Sequence, residues 1–367
     1  MIDAAERARV QRGCTRFVGH PPQPIAERLR AIAHACGEDE RADRYGGGEL
    51  LASFEATIAA LLGKEAAVFM PSGTMAQQIA LRVHADARRR ATVALHPQSH
   101  LLLSEAGAIE ALHGLRAIPV GDRNRLFTQA DLEAIAEPVG AVLFELPERN
   151  IGGALRPWDD LLAMTAWARE AGAAAHLDGA RLWESQPYYG ASYAELSAPF
   201  DTAYVSFYKI LNAVAGAALA GPKAIIDQAR LWQWRHGGRL VAQYPMIVSA
   251  REGLKTYLPR IPRYVERARA IARAIGSFDA VTVTPNPPPT NMLHAFVRGD
   301  FDRLDAAAMR VAEETGIWLV GAFARGDIPD RQMFELSCGD GSLEISDDDV
   351  RDWFERLLRY ARVQERA

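Results

Sequence analysis

The stretch HLDGARLWESQPYYGASYAELSAPFDTAYVSFYKILNAVAG, residues 176–216, decides the fold of this chain. It continues an apolar run, AGAAAHLD, that is typical of a buried parallel strand, and Asp178 ends that run. Lys209 follows a second apolar run, Thr202 to Tyr208, and precedes a segment of small residues. Because ligands bind at the carboxyl ends of strands in open α/β sheets, we expect Asp178 and Lys209 to face one site.

An acid and a lysine on neighbouring strand ends indicate a particular cofactor. An ammonium in an apolar turn loses hydration, so the pKa of Lys209 should fall and its amine should become nucleophilic towards an aldehyde. Pyridoxal phosphate needs such a lysine for a Schiff base and a carboxylate, here Asp178, for its pyridinium nitrogen. The sequence therefore predicts a pyridoxal-phosphate site.

Two motifs in this stretch carry a family resemblance. The segment HLDGARLWE, followed by VSFYKILNAVAG, resembles the threonine aldolase / β-eliminating lyase family of fold-type-I pyridoxal-phosphate enzymes. The resemblance implies that Lys209 holds the cofactor and that Asp178 keeps its pyridinium nitrogen protonated. It also implies that Arg181 binds the substrate carboxylate.

The resemblance covers roughly residues 45–251 and implies an aspartate-aminotransferase-like α/β fold. Its large domain would be a three-layer α/β/α structure, accompanied by a smaller α+β C-terminal domain. We expect an N-terminal arm and helix over residues 1–40, the cofactor-binding domain over 41–250 and the small domain over 251–367.

A turn between a strand and a helix is the predicted phosphate site. Ser72, Gly73 and Thr74 follow the apolar run AAVFM and lead into an amphipathic helix. A helix N-terminus presents free backbone N–H groups and the positive end of a dipole, which suits a phosphate. Ordinary helix capping by Ser72 or Thr74 is the alternative, and the family resemblance favours the phosphate.

Three further residues are assigned to the cofactor by resemblance. His100 precedes an x-E-x-G pattern at Glu105, and the corresponding family histidine stacks on the pyridoxal ring. Tyr208 stands before the lysine, where the family often has serine, and its phenol would reach the phosphate. Ser206 is also predicted to bind the cofactor. Without the resemblance, a histidine after a strand is more often a packing or capping residue.

The loop ELPERN, residues 145–150, departs from the family pattern. Related enzymes carry a histidine before the paired glycines, and Arg149 stands roughly in its place. A guanidinium cannot act as a base near neutral pH, but it can bind a carboxylate through two hydrogen bonds. We therefore predict that Arg149 and Tyr45, beside a triple-glycine loop, contact the substrate. A solvated loop arginine is the alternative.

The late C-terminal strand is the second place where the sequence departs from the family pattern. By the resemblance, Gln332 stands where the family has its other carboxylate-binding arginine, and Arg331, one residue away, would face the opposite side of the strand. The loop QWRHGGRL supplies Arg235 and Arg239, which by resemblance would reach a cofactor phosphate across a subunit interface. The alternative is ordinary surface charge. The resemblance implies a homodimer or homotetramer.

Composition and sequence patterns exclude several other classes of protein. A net charge of −4 gives no basic surface for nucleic acid. The apolar runs are too short to span a membrane, and three scattered cysteines indicate neither a disulfide framework nor a zinc site. The N-terminus does not resemble a secretory signal, so a reducing cytoplasm is expected. A metal site at His176, Asp178 and His100 lacks a further ligand of recognisable spacing.

These observations favour a lyase similar to low-specificity L-threonine aldolase. It would cleave a β-hydroxy-α-amino acid to glycine and an aldehyde, with His100, an ordered water or another group as the base. β-Elimination or other chemistry at Cα or Cβ is the second possibility. A binding protein without turnover is the third, and the joint presence of Lys209, Asp178 and Arg181 argues against it.

Overall fold

The computed structural model describes residues 2–326 and 328–363. The strands are β1 (Arg16–Phe17), β2 (Ala66–Met70), β3 (Thr92–Leu95), β4 (Arg116–Pro119), β5 (Ala141–Glu145), β6 (Ala174–Gly179), β7 (Thr202–Ser206), β8 (Ala217–Gly221), β9 (Val281–Thr284), β10 (Met292–Arg298), β11 (Ile317–Trp318), β12 (Ala324–Arg325) and β13 (Arg331–Ser337). The α-helices are α1 (Ala4–Gly13), α2 (Ile25–Ala35), α3 (Glu49–Leu61), α4 (Gly73–Arg88), α5 (His100–Leu103), α6 (Ala108–His113), α7 (Gln129–Glu133), α8 (Trp158–Glu170), α9 (Leu182–Tyr189), α10 (Tyr193–Ser197), α11 (Lys223–Arg235), α12 (Tyr244–Thr256), α13 (Ile261–Ile275), α14 (Phe301–Thr315) and α15 (Asp347–Tyr360).

The central sheet has the strand order β2-β8-β7-β6-β5-β3-β4. Strands β4, β3, β5, β6 and β7 are parallel, whereas β8 runs antiparallel to both β7 and β2. The side chains of β3, β5, β6, β7 and β8 are buried, as apolar sequences such as AVLFE and TAYVS require when both faces of a sheet are covered, whereas the edge strand β4 is partly exposed. The predicted α/β fold, with a mixed central sheet, is confirmed.

Helix α4 shows how the sheet is covered. Ala76, Ile79, Ala80 and Val83 recur at helical spacing, are buried, and share one core cluster with residues of β2, β7 and β8. Ser72 begins the helix by accepting a hydrogen bond from the Met75 N–H at 3.3 Å. Packing and capping therefore fix where the first turn of α4 lies.

The register of the sheet aligns three polar side chains. Glu145 on β5 pairs with Asp178 on β6, and Asp178 pairs with Tyr204 on β7. Because these strands are parallel, the three residues lie side by side towards the carboxyl end of the sheet. This edge is where the sequence predicts the site.

The chain forms two compact units, and their bounds differ from those of the expected domains. The larger comprises 24–150 and 155–259, and the smaller comprises 1–23, 151–154 and 260–367. The first residues join the smaller unit because β1 pairs in parallel with β11. Residues 24–40 join the larger unit, where the Arg28 guanidinium donates to the Asn212 carbonyl at 2.8 Å.

The smaller unit contains a sheet of order β12-β13-β10-β9. Helix α15 packs on it with Trp353 and Phe354 fully buried, and Ser346 caps the helix through a reciprocal bond with Asp349. Gln332 is buried on β13, where its amide donates to the Pro329 carbonyl at 2.8 Å. Among the helices of 2–326 and 328–363, none has the length and apolar character needed to cross a bilayer.

Candidate active site

Lys209 lies in the turn that follows β7. The turn is closed by backbone hydrogen bonds from Ala213 to Phe207 and from Asn212 to Lys209, both 2.9 Å long. Burial lowers the pKa of Lys209, and the nearby Arg181 cation lowers it further, while Asp178 opposes both effects. The lysine amine is therefore held in the environment that nucleophilic addition to an aldehyde requires.

Asp178 is 2% exposed, and its Oδ1 accepts a hydrogen bond from the Ala180 N–H at 3.0 Å. Burial raises the pKa of its carboxyl to about 7, and the neighbouring Glu145 contributes to this, while Lys209 acts in the opposite direction. A bound cation would offset the cost of burying this charge. Asp178 therefore fits a protonated ring nitrogen.

The raised pKa predicts how stability depends on pH. The folded chain binds a proton at Asp178 more tightly than the unfolded chain, so this group's contribution to stability is greatest below its ordinary pKa of 3.8. The contribution is lost as pH rises through about 7. Without cofactor, we expect the free energy of unfolding of the wild type, relative to Asp178→Asn, to fall between about pH 4 and pH 7. Urea titrations of both proteins measure this difference, and parallel pH profiles would contradict it.

Arg181 lies at the start of α9, beside Lys209. Its Nη1 is 3.2 Å from Oε1 of Glu184, a carboxylate that is fully buried. This ion pair orients the guanidinium, and the positive charge of Arg181 lowers the pKa of Lys209. An anionic substrate group placed here would reduce their mutual repulsion.

His100 begins α5, and its Nδ1 lies 3.2 Å from Oε1 of Glu105. The other oxygen of Glu105 accepts a hydrogen bond from the Gln78 amide at 3.1 Å, so the carboxylate is fixed from α4. Glu105 raises the pKa of His100, although burial and the Lys209 cation oppose this. The charge of Asp178 raises the pKa of His100 slightly, against the effect of Lys209.

The Ser72-Gly73-Thr74 turn lies against two phenols. A Cβ at Gly73 would come 2.0 Å from the Tyr204 hydroxyl and 3.1 Å from that of Tyr208. Burial raises the pKa of Tyr208, whereas a hydrogen bond with Tyr204 lowers it. Because the first N–H groups of a helix have no partner within it, the turn and these hydroxyls form a cradle suited to a phosphate.

This close approach predicts the effect of Gly73→Ala. The added methyl group must displace the Tyr204 hydroxyl, so we expect about 1–3 kcal/mol of destabilisation, as for other overpacked sites. We also expect at least tenfold weaker binding of pyridoxal phosphate, measured by equilibrium dialysis. Gly13→Ala is the control, because a Cβ there meets nothing within 4 Å. Unchanged cofactor affinity in Gly73→Ala would contradict the phosphate assignment.

The remaining predicted site residues make different contacts. The buried Ser206 hydroxyl donates to the Ala180 carbonyl at 2.7 Å, and the Arg149 N–H donates to Oε1 of Glu145 at 3.2 Å. The half-exposed Tyr45 accepts a hydrogen bond at its carbonyl from Arg239. Arg235 stacks over the Trp232 ring at 4.7 Å, beside a pair of histidines. Contacts with substrate or a phosphate stay predictions for Arg149, Tyr45, Arg235 and Arg239.

His176 has a structural role rather than the ligand role of the metal alternative. Its ring nitrogens lie 2.7 Å from Thr202 Oγ1 and 2.6 Å from Gln77 Oε1, so both are engaged. Burial lowers the pKa of His176 to about 3, which keeps the ring neutral. The histidine joins β6 to β7 and α4.

Sequence reasoning did not identify Glu148 as a buried acid. This side chain is 0% exposed, and burial raises its pKa well above the ordinary value, with Glu145 and Asp178 contributing. Its Oε1 lies 3.6 Å from Nδ1 of His96. Three carboxyl groups therefore share this edge of the sheet. The position of Glu148 directly after the buried strand was the available signal, but an acid in a loop is usually exposed.

Comparisons with known proteins find chains that are similar in sequence and fold. Residues 23–298 match the model of the β-eliminating lyase family. A putative L-allo-threonine aldolase from Listeria monocytogenes EGD-E is 35% identical, with a TM-score of 0.93 over 97% of this chain and 99% of that one. The aldolase vrtJ of Penicillium aethiopicum is 33% identical over 70% of this chain and 66% of its own length. The alanine racemase TOXG of Cochliobolus carbonum is 32% identical over 55% of this chain and 54% of its own length.

The fold is that of a fold-type-I pyridoxal-phosphate-dependent enzyme. Within that class, the chain belongs to the β-eliminating lyase family, whose model matches most of its length.

Proposed function

We propose that this protein is a pyridoxal-phosphate-dependent lyase that cleaves a β-hydroxy-α-amino acid to glycine and an aldehyde. The observation that carries the proposal is the convergence of Lys209, Asp178 and Arg181 at the carboxyl ends of β6 and β7. The similarity to the putative aldolase from Listeria over nearly the whole chain supports the aldolase reaction.

The bound cofactor supplies an electron-withdrawing ring that stabilises negative charge at the substrate Cα. Lys209 would hold the cofactor covalently, and Asp178 would keep the ring nitrogen protonated. The turn at Ser72-Gly73-Thr74 would bind its phosphate. Arg181 would bind the substrate carboxylate and so orient the Cα–Cβ bond for cleavage.

His100 is our candidate for the base that removes the proton of the β-hydroxyl. Its neutral ring would accept that proton, and Glu105 would stabilise the imidazolium that forms. Because Glu105 raises the pKa of His100, the neutral imidazole that can accept a proton forms at higher pH than in an ordinary histidine. Turnover should therefore increase as pH rises through the raised pKa of His100.

A second candidate function is chemistry at Cα without cleavage of the Cα–Cβ bond. The similarity to an alanine racemase favours it, as does the presence of Arg149 where related aldolases carry a histidine. Such a reaction would use Lys209, Asp178 and Arg181 in the same positions but would release no aldehyde.

Product analysis separates the two candidates. The purified holoenzyme is incubated with L-threonine, L-allo-threonine or L-alanine in deuterated water. Glycine and acetaldehyde in equal amounts from either hydroxy amino acid would support the aldolase. Deuterium at Cα of alanine without aldehyde would support the second candidate. Neither product, from a protein that binds pyridoxal phosphate, would reject both.

We also propose a homodimer or homotetramer. An exposed group of apolar side chains supports this assembly: Trp234 and Val241 are 62% and 59% exposed beside the linked Tyr45 and Arg239. Analytical ultracentrifugation of the holoenzyme measures the assembly, and a fully active monomer would contradict it.

A further inference from the structure

Two buried acidic side chains belong to the turn that follows β5. Glu145 ends the strand, and its Oε1 accepts a hydrogen bond from the Arg149 N–H at 3.2 Å, so its carboxyl group lies over the residues of the turn. Glu148 is part of this turn and is fully buried. The turn is anchored to β6, because the Leu146 N–H donates to the Asp178 carbonyl at 3.0 Å. Both acids are therefore held at the strand end that carries Asp178.

The carboxyl oxygens of this turn lack donors. In the part of the chain that the structure describes, both oxygens of Glu148 and Oε2 of Glu145 are buried without a hydrogen-bond partner. An ionised carboxylate can only accept hydrogen bonds, and leaving its oxygens unpaired in the interior is costly. A proton on Glu148 changes this, because the acid then donates a hydrogen bond to Glu145. One proton thus satisfies an oxygen of each residue.

The imidazole beside Glu148 does not supply a counter-charge. Oε1 of Glu148 lies 3.6 Å from Nδ1 of His96, but that nitrogen accepts a hydrogen bond from the Gln98 N–H at 3.1 Å. Nε2 of His96 donates to the Arg125 carbonyl at 2.9 Å. Because an amide N–H only donates and a carbonyl only accepts, the ring carries a single proton, on Nε2, and is neutral.

Arg156 is the positive charge that opposes protonation of Glu148. Among the described residues no hydrogen bond joins the two, since both oxygens of Glu148 and the Nε and Nη2 of Arg156 are unpartnered. The remaining Nη1 donates to the Met164 sulfur at 3.3 Å. Burial and the charge of Glu145 raise the pKa of Glu148 well above its ordinary value, although Arg156 lowers it, and Asp178 adds to the increase.

From two buried acids in one turn, with unpartnered carboxyl oxygens and a neutral imidazole beside them, we infer that Glu148 is a neutral acid that shares its proton with Glu145. The pair then carries one negative charge instead of two. A second full charge would favour protonation of Asp178 and so oppose its contact with a protonated ring nitrogen. Glu148 is thus a positioning residue that acts on Asp178 through Glu145. This role rests on the proposed cofactor site, whereas the shared proton does not.

Infrared spectroscopy of the holoenzyme detects the shared proton. Carbon-13 in the side-chain carboxyl groups of glutamate separates their bands from that of Asp178. We expect a carboxylic-acid C=O band near neutral pH that shifts in deuterated water and is lost in Glu148→Gln. Glu145→Gln should also weaken this band, because its amide then donates to an ionised Glu148. Glu137→Gln, at an exposed acid paired with Arg116, is the control and should leave the band unchanged.

Two infrared results would overturn the inference. Wild type and Glu148→Gln with identical spectra in this region would show that Glu148 is ionised. A band that is lost in Glu148→Gln but keeps its full intensity in Glu145→Gln would show that the proton belongs to Glu148 alone.

The pH dependence of stability is a second test. The unfolded chain releases this proton above the ordinary pKa of 4.5, so the contribution of Glu148 to stability falls as pH rises from there towards its raised pKa. Glutamine resembles the neutral acid but needs no proton. In urea, the holoenzyme of Glu148→Gln should therefore be at least as stable as the wild type at neutral pH, and the difference should grow as pH rises.

An ionised Glu148 that compensates Arg156 gives the opposite result in urea. Its replacement would then leave a buried cation without a counter-charge, so Glu148→Gln would unfold at a lower urea concentration than the wild type at neutral pH. That outcome would overturn the shared proton.

Cofactor affinity tests the positioning role. Glu148→Gln preserves the charge of the acid pair, so it should bind pyridoxal phosphate within about twofold of the wild type in equilibrium dialysis. Binding weaker by about tenfold or more, in a variant that folds normally, would show that Asp178 depends on a charge at Glu148 and would overturn this role. A wild type that does not bind the cofactor would reject the proposed function but leave the infrared result intact.

Discussion

Lys209→Ala is expected to lower turnover by about 10³-fold or more, because a nucleophile activated by its surroundings is removed. Burial and the Arg181 cation lower the pKa of Lys209, so its amine is more readily deprotonated than that of an exposed lysine. After borohydride reduction of the holoenzyme, mass spectrometry should find the cofactor on the peptide that contains Lys209. In Lys209→Ala this labelled peptide should be absent.

The matched control for this change is Lys223→Ala. Lys223 is exposed and pairs with Asp227 on the same helix, at 2.6 Å. Its removal should leave both labelling and turnover within twofold of the wild type. Equal labelling of wild type and Lys209→Ala would show that another amine holds the cofactor.

Arg181→Gln is the second change with a large expected effect. If this partly buried cation binds the substrate carboxylate as proposed, its loss should lower kcat/KM by about 10²–10³-fold, mostly through KM. The same change removes a nearby positive charge, so the pKa of Lys209 should rise. Competitive acetylation of the cofactor-free protein at several pH values, followed by peptide mass spectrometry, measures that rise.

Arg116→Gln is the control for Arg181→Gln. Arg116 lies on the edge strand β4 and pairs with the exposed Glu137, so its loss should change neither kcat/KM nor Lys209 reactivity. If Arg181→Gln raises KM but leaves Lys209 reactivity unchanged, the electrostatic link between the two cations is wrong. If it lowers Lys209 reactivity but leaves KM unchanged, the carboxylate is bound elsewhere.

Local sequence patterns predicted many of the elements that build this site. The apolar runs gave β5, β6 and β7, because buried parallel strands require apolar side chains on both faces. Thr128 and Ser346 are of the residue types that favour helix N-caps, and they cap α7 and α15 through reciprocal side-chain bonds. These features depend on neighbouring residues, which a single sequence displays.

Features that depend on residues far apart in the sequence could not be predicted from local sequence patterns. The antiparallel direction of β8 is set by its partners β7 and β2, not by the composition of AALAG. The burial of Glu148 and Arg156 depends on several strands and helices that pack around them. Composition places such charged residues at the surface, so only the assembled fold shows how they lie relative to Asp178.

The pairing of β1 with β11 has a consequence for biosynthesis. Ribosomes extend a chain from its N-terminus, and domains generally fold as units as they emerge. Residues 24–259 contain everything in the larger unit and can fold while the rest is still being translated. Arg16 and Phe17 are translated before the larger unit, yet they have no partner strand until Ile317 and Trp318 are translated. This segment is thus among the last to reach its native place, although it precedes the larger unit in the chain.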